Sequence, residues 1–363
     1  MGSDDDKLDE ELLYSVDHAW DLIGGGDLKG AMDIAQRSLE RDGDSPDAHH
    51  LAGVIHASEG NTELALAHYM RAIEADEFFF DATLNAAELL FDPVQDHHGA
   101  LRLAEKALSL ADLPEERAEA LALKTEILCA LGGFENVREA RRMARRFPKT
   151  PLKSARACFA VGRASYELGD FEGAVFYFQE ALALQSGVAD TYHLLGLTYL
   201  ALRQKDEAIY TLLKTRELDE ALPPPPFSLK KEAFEGRVRD ALSRLSRPFR
   251  DALEGALFVV AKLPGVEVVA EGIDPRTPIL LDDIPQLRSG GYETPLFPIR
   301  FGKSEPEEPR VGRVFVYQAT IERSVPSAMH IADEIVYQLE RAMIDEFPEL
   351  EAHATHPLNR QNR

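Results

Sequence analysis

The sequence predicts an α-helical solenoid of about six helical hairpins followed by a small α+β domain. Three observations lead to this prediction. Small residues recur at a fixed step, four prolines in a row interrupt the chain at 223–226, and short apolar runs typical of strands appear only after these prolines. A step of about 34 residues is the length of one helix–turn–helix unit, and proline cannot continue a helix.

The recurring step is 34 residues in two parts of the chain. The small residues that it relates are expected where two helices cross closely or where the chain turns. Four pairs follow it: Gly162 and Gly196, Ala174 and Ala208, Ala31 and Ala65, and Gly26 and Gly60.

The period divides the chain into segments. We expect an acidic terminus at 1–11, a repeat array at 12–222, a polyproline linker at 223–228, an α+β domain at 229–350 and a polar tail at 351–363. Within the array, the fourth unit has lost the recurrent glycines and alanines. The six units span 12–45, 46–79, 80–111, 112–150, 155–188 and 189–222.

Residues 155–188 (ARACFAVGRASYELGDFEGAVFYFQEALALQSGV) resemble the tetratricopeptide repeat. That resemblance implies stacked helical hairpins that bind a protein or peptide through positions 2, 5, 9 and 12 of each first helix. These positions hold Arg156, Phe159, Arg163 and Tyr166 in the fifth unit, and His193 lies at position 5 of the sixth. Two arginines beside an aromatic pair would hold a peptide with an acidic residue next to an apolar one. Alternatively, Phe159 and Tyr166 pack against the fourth unit.

A second candidate surface is the basic run in the fourth unit. Arg138, Arg141, Arg142 and Arg145 follow the i, i+3, i+4 spacing of one helical face. Such a face is either simply solvated or a docking site for an acidic partner, including the protein's own acidic first repeats.

The charge and composition exclude several function classes. The net charge is −23, and residues 1–120 hold 8 basic against 28 acidic side chains, a balance of −20. This charge disfavours nucleic acid and anionic membranes as partners. It either helps to select the partner electrostatically or only keeps the protein in solution. No signal peptide or apolar run of membrane-spanning length occurs, and Cys129 and Cys158 do not suggest a disulfide framework. We therefore expect a cytoplasmic protein.

No cofactor or metal site is predicted from the repeat array. The turn Gly24–Gly26 lacks the lysine and the preceding strand of a phosphate-binding loop. His97 and His98 are adjacent but have no third ligand in the sequence nearby.

The order of elements in 236–350 resembles the small bacterial zincin-like family of predicted metallopeptidases. The resemblance lies in LFVVAKLP, GGYETPL and VFVYQATIERS before a last helix, HIADEIVYQLERAMIDEF. The family resemblance implies HExxH on that helix, where two histidines bind zinc and the glutamate activates water. Here the motif is absent: with Asp333–Glu334 in its first two positions, Tyr337 replaces the second histidine. With Arg341 in the first position, Ala342 replaces the glutamate and Asp345 replaces the second histidine.

The sequence thus predicts a non-enzymatic adaptor or scaffold that binds a protein or peptide partner and carries a degenerate zincin-like module without metal. The alternative is a metallopeptidase that is tethered to the repeat array and uses non-standard zinc ligands. The missing HExxH motif favours the adaptor.

Overall fold

The computed structural model describes residues 16–149, 151–282, 296–298 and 311–355. These residues form two compact units, one up to Ser186 and the other from Gly187. We call them unit 1 and unit 2. Unit 2 therefore contains both the sixth predicted repeat and the region after the prolines. The sequence predicts that the prolines at 223–226 separate two parts that fold independently, residues 1–222 and 228–363, and this stays a prediction.

Unit 1 consists of successive helical hairpins. Its first helix, α1, includes residues 16–24. Nine further helices follow in the described part of the unit: α2 (Leu28–Arg41), α3 (Pro46–Ser58), α4 (Thr62–Ala75), α5 (Phe80–Phe91), α6 (His97–Leu110), α7 (Pro114–Leu131), α8 (Phe134–Ala144), α9 (Ala155–Glu167) and α10 (Phe171–Leu184).

The two helices of a hairpin approach closely at a glycine. A Cβ atom on Gly53 would lie 2.5 Å from the ring of Tyr69, and one on Gly162 would lie 2.7 Å from the ring of Phe178. Each aromatic residue follows its glycine by 16 positions, so one contact is repeated in two hairpins. Alanine at Gly162 would push Phe178 out of the fully buried site that it fills.

The second helix of several hairpins begins with the same capping signal. Asp27, Asp96 and Asp170 each accept a hydrogen bond from the backbone N–H three residues later, at 2.9, 2.9 and 3.2 Å. An aspartate at this position satisfies one of the free N–H groups of the first turn. These local signals explain where the second helices α2, α6 and α10 begin.

Unit 2 begins with one more helical hairpin and continues into an α+β fold. The hairpin consists of α11 (Ala189–Ala201) and α12 (Lys205–Ala221). The elements that follow are α13 (Lys231–Arg244), α14 (Arg247–Ala252), β1 (Leu257–Ala261), α15 (Val266–Ala270), β2 (Ile279–Asp282), β3 (Leu296–Pro298), β4 (Arg313–Tyr317), α16 (Gln318–Arg323), α17 (Ile331–Glu346) and a 3-10 helix (Pro348–His353).

The described strands form a mixed sheet in the order β2-β4-β1-β3. Strands β1 and β4 are parallel, with Leu257 opposite Arg313, and the other two pairings are antiparallel. One sheet face packs against α13, α14 and α17 in a core that contains Phe234, Phe249, Phe258 and Leu339. The apolar alternation of the strands thus buries one face under helices, as an α+β fold requires.

The structure corrects several sequence-based element boundaries. The apolar spacing at 229–254 predicts a single helix, but the chain forms two helices there, because it is extended at Leu245 and Ser246 before Pro248 in the first turn of α14. The sequence predicts Ser327 as the N-cap residue of the last helix, but α17 begins at Ile331 with His330 as its N-cap residue. Helices α15 and α16 and strand β3 were not predicted. The remainder of the predicted loop at 289–310 lies outside the described residues.

Across the described ranges, each helix is either too short or too polar to cross a bilayer.

Candidate functional site

The first helices of four successive hairpins bring charged and aromatic side chains together in unit 1. We call this surface the first-helix face. It is defined by His50 on α3, Asn85 and Glu88 on α5, Glu119 and Glu126 on α7, and Arg156, Phe159 and Arg163 on α9.

Arg156 connects three of these helices. Its Nη2 donates to Asn85 Oδ1 at 2.8 Å and to Glu88 Oε2 at 3.3 Å, and its Nε lies 3.3 Å from Glu119 Oε2. Asn85 in turn places its amide nitrogen 3.0 Å from Nε2 of His50. Since Asn85 accepts from Arg156 through its oxygen, its amide N–H donates to the imidazole.

Arg163 makes a third ion pair on the face, in addition to the two that Arg156 makes with Glu88 and Glu119. Its Nε donates to Glu126 Oε1 at 2.8 Å, and its guanidinium carbon lies 5.8 Å from the centre of the Phe159 ring. The Glu126 side chain is 5% exposed. Burial raises its pKa to about 7, against the opposing effect of Arg163. Glu126 is therefore a carboxyl group whose ionisation depends on this arginine.

Burial shifts the pKa values of other groups on and beside the face. It lowers the pKa of His50 to about 4, with a smaller contribution from the charge of Arg156. It also raises the pKa of Glu119 and of Asp81, although Arg156 opposes both shifts. At neutral pH His50 is thus a neutral ring. It packs against Trp20, Tyr69 and Phe79 at centroid distances of 5.4, 5.8 and 5.0 Å.

The structure places four of the predicted binding residues on one face of α9. Arg156 and Arg163 are ion-paired within the unit. Phe159 packs partly against the hydrophobic cluster of α7 to α10, with its ring 6.0 Å from that of Phe178. Tyr166 lies 5.6 Å from the ring of Phe171. For Phe159 this geometry agrees with the packing alternative.

His193 belongs to a different site. It lies on α11 in unit 2, where its Nε2 is 2.9 Å from Oδ1 of Asp274. The pairing with His193 lowers the pKa of Asp274 although burial acts in the opposite direction. Arg276 lies beside this pair. Its guanidinium donates twice to the Asp219 carboxylate, at 2.8 and 2.9 Å, and once to Asp190 at 2.7 Å.

These contacts fix the segment at 272–277 on α11 and α12. Arg276 contacts Asp190, and Asp274 contacts His193. Asp190 and His193 occupy positions 2 and 5 of the sixth unit, where the resemblance to the tetratricopeptide repeat implies partner binding. A neighbouring contact joins Arg216 Nε to the carbonyl of Pro264 at 2.6 Å. Two positions of α11 that were expected to bind a partner are thus already in contact with other residues of unit 2.

The predicted basic run forms an exposed face on α8. Arg138, Arg141, Arg142 and Arg145 are exposed, while Ala140 and Met143 on the opposite side are buried. Arg142 forms an ion pair with Glu139, and Arg138 lies 3.7 Å from Glu135. The helical spacing of the arginines therefore produces a single charged surface.

The predicted zincin-like helix has no set of zinc ligands. His330, Asp333, Glu334 and Tyr337 line one open cavity of about 340 Å³. Asp333 is engaged by Arg244, whose Nη1 donates to Oδ1 at 2.6 Å, and Tyr337 stands where the second histidine would be needed. A zinc ion does not fit this set. Within the described ranges, no three His, Cys, Asp or Glu side chains are arranged to hold a metal.

The carboxylates of the first-helix face were missed at the sequence level. A signal for them exists: Glu119 and Glu126 are seven residues apart on α7, as Arg156 and Arg163 are on α9. Each glutamate precedes its arginine by 37 residues (156 minus 119 and 163 minus 126), so the two pairs keep one register.

Several solved structures are similar to part of this chain. One structure, from a functional characterization of Pseudomonas aeruginosa pilF, is 16% identical, covers 59% of this chain and 94% of that chain, and gives a TM-score of 0.43. PilW, described as a type IV pilus biogenesis factor, is 15% identical with coverages of 58% and 94% and a TM-score of 0.44. YrrB, a TPR protein with an unusual peptide-binding site, is 20% identical with coverages of 52% and 93% and a TM-score of 0.31.

At these values the three structures do not indicate a ligand for this chain. No curated protein matches it. Models of the tetratricopeptide repeat match residues 155–187 in one case and residues 46–79 and 189–221 in the other. The prediction of this repeat is confirmed for those segments: the chain carries tetratricopeptide repeats at 46–79, 155–187 and 189–221.

Proposed function

We propose that this protein is a non-enzymatic adaptor whose first-helix face binds a segment of another protein. The observation that carries the proposal is the convergence of side chains from α3, α5, α7 and α9 on one surface of unit 1. Tetratricopeptide repeats generally mediate protein–protein interactions, and their stacked hairpins present an extended surface.

The face is accessible as well as ordered. The side chains of Arg156 and Glu88 are 46% and 42% exposed although they are ion-paired with each other. Groups that are held in place and remain open to solvent can bind a partner with little loss of side-chain entropy. The buried side chains of Glu126 and His50 hold Arg163 and Asn85 in place through hydrogen bonds.

Site-specific photo-crosslinking tests the proposal. A benzophenone amino acid replaces either Tyr166 on α9 or, as a matched aromatic control, Phe176 on α10, which is 41% exposed. In the native cell, we expect light to produce a defined covalent adduct from position 166 and none from position 176. Mass spectrometry then identifies the partner and the peptide of the partner that is attached.

Adducts of equal yield from both positions would contradict the proposal, and so would adducts from position 176 alone. A third position on α8, Arg141, covers the second candidate surface. Adducts from position 141 alone would move the binding site to the exposed arginines of that helix, Arg138, Arg141, Arg142 and Arg145.

The role of the α+β part is the second element of the proposal. We infer that it is a zincin-like module without catalytic zinc, and the ion pair between Asp333 and Arg244 supports this inference. The purified chain is expected to hold well under one zinc ion per molecule after dialysis against a weak chelator, and to cleave no peptide. Stoichiometric zinc that is lost on Asp333→Ala substitution would favour the metallopeptidase alternative instead.

A further inference from the structure

The two arginines of the first-helix face already have anionic partners. Arg156 is held by Glu88, Glu119 and the oxygen of Asn85, and Arg163 is held by Glu126. A carboxylate of a partner could reach only the guanidinium donors that these contacts leave unused, and it would then lie beside Glu88, Glu119 or Glu126. The geometry therefore does not support the expectation of an acidic partner residue at these arginines.

Carboxylates exceed arginines around the same surface. Asp81 and Glu167 act electrostatically on Arg156 and Arg163, in addition to the glutamates that contact them. A carboxylate offers about four acceptor positions, and each contact described here uses one or two of them. Five carboxylates thus surround two guanidinium groups: Asp81, Glu88, Glu119, Glu126 and Glu167 around Arg156 and Arg163.

The chain itself shows what a surface of this kind binds. In unit 2, Arg276 from the segment at 272–277 is held by Asp219 and by Asp190, the second residue of α11. Asp81 is the second residue of α5, so unit 1 has an exposed aspartate at the same position of a first helix. This intramolecular contact is an independent observation that such positions accept a guanidinium group.

We propose that the first-helix face recognises its partner through a basic side chain, presented by an extended segment of another protein. The proposal rests on the adaptor function proposed above and names the chemistry of the partner. The added cation would lie near Glu88 and Asp81, the exposed edge of the carboxylate cluster. Burial raises the pKa of Asp81 and of Glu119, so both would gain from another positive charge nearby.

A positional peptide library tests this inference on the full chain. The probe is a set of immobilised short peptides in which one central position is varied through all amino acids. We expect arginine and lysine to be enriched at that position and aspartate and glutamate to be depleted. For the selected arginine peptide, the double variant Glu88→Gln, Asp81→Asn should raise Kd about tenfold, since it removes two charge-assisted contacts.

The matched control must exclude attraction by the net negative charge of the protein. Glu74 lies on α4, is 65% exposed and is 3.7 Å from Arg71, so Glu74→Gln removes a comparable charge outside the face. We expect this variant to bind like the unmodified chain. Weakening by Glu74→Gln as large as that of Glu88→Gln alone would overturn the inference, because bulk charge would explain the binding.

The outcomes separate the inference from the proposed function. Enrichment of acidic residues, or of apolar residues without a basic one, would overturn the inference and leave an adaptor with different specificity. Absence of binding to every peptide class, together with no crosslink at position 166, would overturn both.

Discussion

Replacing Arg276 by alanine should destabilise unit 2 by about 4 kcal/mol, because it leaves a buried carboxylate without its cation. The Asp219 side chain is 4% exposed and receives both of its side-chain hydrogen bonds from Arg276. Hydrogen exchange with mass spectrometry across a urea series measures the loss, since it follows α11 and α12 separately from unit 1.

Two further variants test whether the loss comes from the paired contact of Arg276 with Asp219. Arg276→Lys should recover less than half of the loss, since an ammonium group cannot donate in the paired geometry that the guanidinium has. Arg247→Ala removes an arginine that is 84% exposed and 3.4 Å from Asp251, and should cost less than about 0.5 kcal/mol. Similar losses for Arg276→Ala and Arg247→Ala would show that the buried pair does not stabilise the unit.

Replacing Arg163 by alanine should destabilise unit 1 by about 1.5 kcal/mol more at pH 8 than at pH 5, because one pH unit above the pKa of Glu126, about 7, corresponds to about 1.4 kcal/mol. The pKa of Glu126 is raised to about 7, above its value in the unfolded chain. The folded state therefore favours the protonated carboxyl, so stability falls as the pH rises from about 4.5, the pKa in the unfolded chain, to about 7, and it falls no further above that pH. Arg163 reduces this loss, so its removal matters only where the carboxyl is charged.

Urea unfolding of unit 1 at the two pH values checks this prediction. Adding Glu126→Gln to the Arg163→Ala variant should restore most of the stability at pH 8, because the neutral amide needs no cation. Arg138→Ala, on an arginine that is 61% exposed, serves as the control and should have little effect at either pH. A penalty for Arg163→Ala that is the same at pH 5 and pH 8 would contradict the role given to Glu126.

Arg163 also shows why a charge reversal there is a poor test of binding. A glutamate at position 163 would lie beside Glu126 and destabilise the fold, so any loss of partner capture would be ambiguous. The variants at Glu88 and Asp81 avoid this problem, because neither residue is deeply buried.

The hairpins could be predicted from the sequence because their signals are local. The aspartate caps at Asp27 and Asp170 and the glycine-to-aromatic contact of Gly162 with Phe178 each lie within one hairpin. The period of 34 repeats the close approach at Gly162 in the next hairpin, at Gly196. The first helix of the fifth repeat was recognised from its residues alone, and α9 begins at Ala155, where the repeat starts.

The partners of the charged residues could not be predicted in the same way. Arg156 meets Asn85 across 71 residues and Arg276 meets Asp219 across 57. The sequence indicates which helix face carries an arginine, but several carboxylates lie within reach of its long side chain. The pairing of α7 with α9 also has an offset of 37 residues and not the 34 of the repeat period.

The contact between Arg276 and Asp219 has a consequence for synthesis of the chain. A ribosome releases α12 before the segment that carries Arg276, and 57 residues separate the two partners. At about 5–20 residues per second, this interval lasts roughly 3–11 s. During that time the nascent sixth hairpin bears an aspartate that is not yet neutralised, whereas all of unit 1 has already emerged. The two units therefore become available for folding one after the other, and the last repeat is completed by sequence that is translated after it.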